Sequence, residues 1–413
     1  MNTHILRPLV VAAVSTLALA ACGGGSGFEE ETETDSGAEE LTVLIGSSGE
    51  AETKAVEDAV AAWSEESGTQ ATVSVASDLN QQVSQGFAAD NPPDVFYLAV
   101  DQMAGYAANG SLYAYGADLE DPDAFYPALV DAFTVDDALQ CAPKDFSTLA
   151  LIINTELWEA AGLTDADIPT DWDSLAEVAG KLTKGDVVGL AMSPEYARVG
   201  AFFPQAGGAM VSDDGTEATV DSPENLEALT YLQGLMKDGS LDYSSTLGAG
   251  WGGEAFGKGM AAMVVEGNWI AGALTNDFPD VKWRAVELPA GPAGDGTLAF
   301  TNCWGIPEKT GDKEAAVSLV EHLISEESQI AFAEAFGVIP SVQSAAETWV
   351  GDTPDFDAFV AGAEYAQNPP SQAGTTDVIS DFNAQLEGLE DGDPRAILES
   401  VQQTMQAALD AQG

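Results

Sequence analysis

The chain has 413 residues, with 13 Lys+Arg against 68 Asp+Glu and a formal charge of −55. Hydrophobic residues make up 45% and aromatic residues 8%, which excludes a wholly disordered chain and leaves room for two or three domains. The lack of Lys/Arg clusters excludes nucleic-acid binding through phosphates; the acidity favours solubility and would suit high salt, where self-repulsion is screened.

In chain order, one cation at Arg7 precedes an apolar run from Leu9 to Ala21, too short to span a bilayer as a helix. It reads as the core of a signal peptide over 1–21, ending in Leu19-Ala20-Ala21-Cys22. That ending resembles a bacterial lipobox, which implies that Cys22 is lipidated and that acyl chains hold the protein at the extracytoplasmic face of the cell membrane. Residues 22–40 are Gly/Ser-rich and then acidic, cannot build a core, and read as a tether. With Cys22 assigned to the anchor, Cys141 and Cys303 remain, an even pair suited to a disulfide in an oxidising compartment.

Leu41–Ile45, Ala71–Val75 and Asp94–Leu98 read as strands. Between them, Val56, Val60 and Trp63, then Val83 and Phe87, recur at helical spacing, and Pro92-Pro93 stops the second helix. This alternation predicts a parallel sheet with right-handed crossovers and a ligand beyond the carboxyl ends of its strands. Ser47, Ser48 and Glu50, with Asp101 and Gln102, fall there.

A second α/β block begins near Cys141. Thr148–Asn154, Val187–Met192, Met260–Val265 and Val281–Glu287 read as strands; Thr155–Ala161, Asp173–Leu182 and Glu224–Lys237 read as helices, with Asp171 or Asp173 as a cap. Two amphipathic helices follow, Lys313–Ser325 and Pro394–Ala411.

Catalytic and cofactor signatures are absent. Of two histidines, His4 lies in the leader and His322 in a helix, which leaves little for a Ser-His-Asp device. No metal-spaced Cys/His cluster occurs, and Gly248, Gly250 and Gly253 match G-x-G-x-x-G without a strand before them. No cofactor is expected. Trp251, Trp269 and Trp304 sit in Gly-rich, loop-like settings, where an indole face suits the C–H face of a sugar ring or ordinary packing; Trp63, Trp158 and Trp172 lie on helical patterns and read as core.

The chain resembles the extracellular solute-binding proteins of ABC importers, in the carbohydrate-binding branch. The resemblance covers nearly all of 41–410. It is carried by the order of Pro93-Asp94-Val95, Ala142-Pro143-Lys144-Asp145, Pro169-Thr170-Asp171-Trp172, Gly207-Gly208, Phe256-Gly257-Lys258-Gly259-Met260, Glu266-Gly267-Asn268-Trp269, Trp304-Gly305-Ile306-Pro307 and Gly337-Val338-Ile339-Pro340. It implies two discontinuous α/β lobes of periplasmic binding protein type II, lobe 1 over 41–143 plus 302–340 and lobe 2 over 144–301 plus 341–413. The chain would cross between them near Ala142–Phe146, Leu298–Asn302 and Gly337–Ser344. Both Cys141 and Cys303 then fall near crossings.

By position, the resemblance implies a ligand cleft formed by Ser48, Glu50, Asp78, Asn80, Tyr97, Asp101, Asp145, Phe146, Gly207, Gly208, Trp251, Glu254, Trp269 and Trp304. It implies a monomeric, non-enzymatic binder that takes a sugar or oligosaccharide and hands it to the transmembrane subunits of an ABC permease. Ser47-Ser48 departs from the aromatic that many relatives carry after the first strand. A secreted glycoside hydrolase using two carboxylates, or a binder of a cation such as a polyamine, stand as alternatives.

Overall fold

The structure is a computed structural model that describes residues 40–47, 49–212 and 214–411. The leader, Cys22 and most of the tether lie outside the described residues. Among the described residues, no helix is long and apolar enough to cross a membrane.

The first strands are β1 (Leu41–Ile45), β2 (Ala71–Val75) and β3 (Val95–Ala99). β1 pairs in parallel with both, and helices Glu50–Ser67 and Leu79–Ala88 make the crossovers, as the alternation predicts. A small hairpin, β4 (Thr134–Val135) and β5 (Ala138–Leu139), leads into β6 (Ala142–Asn154). The second block contains β7 (Val188–Met192), β8 (Leu241–Tyr243), β9 (Ala261–Gly267) and β10 (Trp283–Val286). β11 (Thr297–Gly305) and β12 (Ala366–Gln367) follow. The main sheet runs β2-β1-β3-β11-β6-β9-β7-β8, with β10 beside β6 and β12 beside β11.

Two of these strands serve both halves. β6 is six residues longer at its start than the expected Thr148–Asn154, and β11 was not read as a strand from its sequence. β11 runs antiparallel to β3 through Asn302–Gly305 and antiparallel to β6 through Ala299–Trp304. The pairing of β11 with β6 shifts register between Asn302, opposite Asp145, and Cys303, opposite Pro143, so Lys144 is an extra residue on β6. A third passage lies alongside: the Phe146 N–H donates to the Ile339 carbonyl at 3.0 Å, and the Ile339 N–H donates back at 3.1 Å.

Each half has its own core. One gathers Val43, Ile45, Phe96, Trp304 and Leu319; the other gathers Leu151, Leu190, Leu229, Phe382 and Val401. Trp63 belongs to the first, and Trp158 and Trp172 to the second. A third cluster, around Phe146, Ile339, Trp349 and Phe359, seats helices Gln343–Asp352 and Asp357–Gly362 against β6. Each fully buried Leu, Val or Phe contributes roughly 1.5–3 kcal/mol, so the two-sided burial of β6 fixes its register strongly.

The helices begin where their caps place them. The Asp171 carboxylate accepts from the Ser174 N–H at 2.8 Å, and Trp172–Leu182 follows. Pro223–Lys237 and Pro394–Asp410 start on Ser222 and Asp393 with Pro in the first turn. Cys141 and Cys303 are joined by a disulfide, with a Cα–Cα distance of 5.7 Å; both are fully buried in the first core.

Candidate functional site

Between the halves lies a cavity of about 580 Å³. Gly46 after β1, and Ala99 and Val100 at the end of β3, stand on its wall, so it lies beyond the carboxyl ends of the parallel strands. β6, β11 and the passage through Gly337 cross beneath it.

On the first-half side, four side chains interlock. The Lys144 ammonium sits 3.7 Å from Glu52 Oε1, pairs with the Asp145 carboxylate, and lies 4.4 Å from the centre of the Tyr97 ring. The Tyr97 hydroxyl donates to Glu52 Oε1 at 3.1 Å. Glu52, Lys144 and Asp145 are each under 10% exposed. The extra residue on β6 has a consequence here: a bulge lets successive side chains share one side of a strand, and Lys144 and Asp145 both line the cavity. Burial pushes the Asp145 carboxyl above its usual range, with Lys144 opposing. Burial and the Glu52 carboxylate push the Tyr97 hydroxyl well above its own.

Opposite, Trp269 follows β9 and lines the cavity with Phe300 of β11, their rings edge to face at 5.7 Å. The Trp269 indole N–H donates to Glu266 Oε2 at 2.9 Å. Asn268 is 2% exposed; its amide donates to the Gly337 carbonyl at 2.9 Å, and its Oδ1 is buried with no partner. Asn302, Phe336 and Asn368 also line the cavity, with Ser147, Thr301 and Ser371.

Of the residues expected in a cleft, the structure brings Tyr97, Asp145 and Trp269 together around this cavity. Glu50, Asp78, Asn80, Phe146, Gly207, Gly208, Trp251, Glu254 and Trp304 do not line it. Trp304 is 1% exposed and packs edge-on behind Tyr97 at 4.8 Å, because β11 pairs it with Tyr97 and turns it into the first core. Phe146 is 1% exposed in the third core, edge-on to Tyr126. Trp251 is half-buried against that same core. Glu254 accepts from the Gly250 N–H and pairs with Lys258, closing a surface turn.

Asp78 caps Leu79–Ala88 by accepting from the Gln81 N–H at 3.0 Å, and Asn80 is exposed one residue into that helix. Glu50 opens Glu50–Ser67 and borders a separate surface groove that His322 also lines. Gly207 ends helix Phe202–Ala206 with φ 87°, which favours glycine, and Gly208 packs on the Asn225 side chain. Asp101 lies in helix Val100–Ala108, while Ser48 lies outside the described residues.

Sequence reasoning missed Glu52, Lys144, Asn268 and Phe300. Lys144 carried a signal: a cation within the expected crossing Ala142–Phe146 is conspicuous in a chain with 13 Lys+Arg. Among the described residues, no group of three or more His, Cys, Asp and Glu is placed to hold a metal ion. The arrangement offers flat apolar rings, amides, and carboxylates already paired with a cation; it suits a hydroxyl-rich solute.

The model of the bacterial extracellular solute-binding protein family matches residues 58–361. A putative binding protein of Brucella abortus is 24% identical over 268 residues, which span 62% of this chain and 64% of that protein's length. The sugar-binding protein MalE from Xanthomonas citri superposes with a TM-score of 0.81 at 20% identity, covering 90% of this chain and 98% of that one. An ABC substrate-binding protein from Listeria monocytogenes, in complex with cycloalternan, superposes with a TM-score of 0.76 at 23% identity, over 90% and 99% of the two chains. At these identities the likeness establishes the fold.

Proposed function

The chain belongs to the bacterial extracellular solute-binding proteins, and from that premise we propose that it captures a neutral sugar or oligosaccharide in the 580 Å³ cavity and delivers it unaltered to an ABC permease. One observation carries the choice of ligand. The cavity sets Trp269 and Phe300 across from the Glu52–Lys144–Asp145 cluster, apolar rings facing carboxylates that a buried cation already engages. The rings would cover a sugar's C–H face; the carboxylates and amides would accept from and donate to its hydroxyls. The Listeria relative's stated ligand, cycloalternan, supports the same class. A polyamine would find both carboxylates already engaged by the Lys144 ammonium, which disfavours it whatever the chain's overall acidity.

On this reading the ligand is gripped between lobes 41–143 plus 302–340 and 144–301 plus 341–413, which close about the three crossings. The body works as a monomer and stands outside the cytoplasm, held by acyl chains on Cys22 through residues 22–40 after loss of the leader 1–21. A thermal-shift screen of the purified protein over neutral oligosaccharides tests the function. The proposal expects a ligand-dependent rise in melting temperature with no change in the sugar. Turnover without any partner would instead support the hydrolase.

A further inference from the structure

The Trp269 indole is held by groups that do not line the cavity. Glu266, the sixth residue of β9, has a fully buried side chain, and its Oε2 accepts from both the Trp269 indole N–H at 2.9 Å and Arg198 Nη2 at 2.7 Å. Arg198 comes from helix Tyr196–Val199, beyond the carboxyl end of β7, the parallel neighbour of β9. Its guanidinium carbon lies 5.2 Å from the indole centre, a cation–π distance, and its Nη1 is fixed by Glu195 at 2.7 Å.

The backbone completes the seat. The indole folds back over Gly267, where a Cβ would stand 2.2 Å from the ring. Gly252 likewise leaves room for Glu266, since a Cβ there would lie 2.7 Å from Oε1.

Packing alone does not account for this arrangement. A buried ion pair is rarely better than apolar residues of the same volume, and here Glu266 Oε1 and Arg198 Nε are buried with no hydrogen-bond partner. One of few cations in a strongly acidic chain is spent beneath a single aromatic on the cavity wall. We propose that Arg198 and Glu266 are positioning residues that fix the orientation of the Trp269 indole for ligand stacking, so that they govern affinity without touching ligand. The proposal rests on the reading of the cavity as a carbohydrate site.

The test combines a readout on the free protein with one on the complex. The indole N–H resonance of Trp269 is assigned by its loss in W269F and followed in E266Q, R198M and R198K. R198M leaves a buried carboxylate unpaired, so the double variant R198M/E266Q guards against simple misfolding. Maltotetraose is the probe for affinity, with N,N′-diacetylchitobiose if maltotetraose fails to bind the wild type.

The indole resonance moves in E266Q, R198M and the double variant, and affinity falls about tenfold or more. R198K recovers part of both, because an ammonium restores the charge but not the planar fork. An unmoved resonance in the double variant overturns the proposal whatever sugar binds. Full affinity in R198M, alongside weakened binding in W269A, overturns the pair's role alone. Full affinity in W269A overturns the stacking on which it rests.

Discussion

The Cys141–Cys303 bridge is the perturbation whose cost follows most directly from the structure. It closes a loop with a sequence separation of 162 and fastens the entrance of β6 to β11 inside the first core, where both sulfurs are fully buried. In the chain-entropy description, a loop of that length constrains the unfolded chain by about 5 kcal/mol, at the upper end of what native bridges contribute. C141A/C303A should therefore lose about 3–5 kcal/mol in urea unfolding followed by tryptophan fluorescence. The slope against urea should steepen, because the open unfolded chain exposes more surface. Sugar affinity should stay within about twofold, since neither cysteine lines the cavity. A loss under about 1 kcal/mol, with the wild-type bridge verified as oxidised, would refute the reasoning.

Two further perturbations probe the buried charges and the second core. Burial raises the carboxyl pKa of Glu266 and Asp145, so the unfolded chain loses these protons first as pH rises. The folded state then binds more protons, and these two groups reduce stability as pH climbs from about 4. The stability difference between pH 4 and pH 7 should be shifted in E266Q relative to wild type toward greater relative stability at pH 7, and equilibrium unfolding at the two values checks the sign. Trp172 stacks on Tyr231 at 4.4 Å and its indole N–H donates to Gln205 at 2.6 Å, so W172A should cost about 3–5 kcal/mol in urea unfolding.

The strands that follow a clean period could be read from the amino acids. Leu41–Ile45 and Ala71–Val75 match β1 and β2 to the residue, and the apolar rows read over Lys313–Ser325 and Pro394–Ala411 form helices Lys313–Leu323 and Pro394–Asp410. β11 could not be read this way, because Thr297–Gly305 mixes Asn302 and Thr301 into a strand whose partners come from both halves. The three Gly-flanked indoles show the same limit. Trp269 and Trp304 look alike in sequence, yet pairing with Tyr97 turns Trp304 into the core while Glu266 and Gly267 seat Trp269 on the cavity wall. Lys144 reaches the cavity through a one-residue register shift, which depends on how β6 meets β11 and not on local composition.

The most direct test of the central claim is a calorimetric titration of wild type and W269A with a panel of neutral oligosaccharides, with the sugar recovered afterwards and analysed. The account predicts one-to-one binding of at least one panel member, weakened by about 2 kcal/mol or more in W269A, and sugar returned intact. Binding unchanged by W269A, or recovery of shortened sugar, would contradict it.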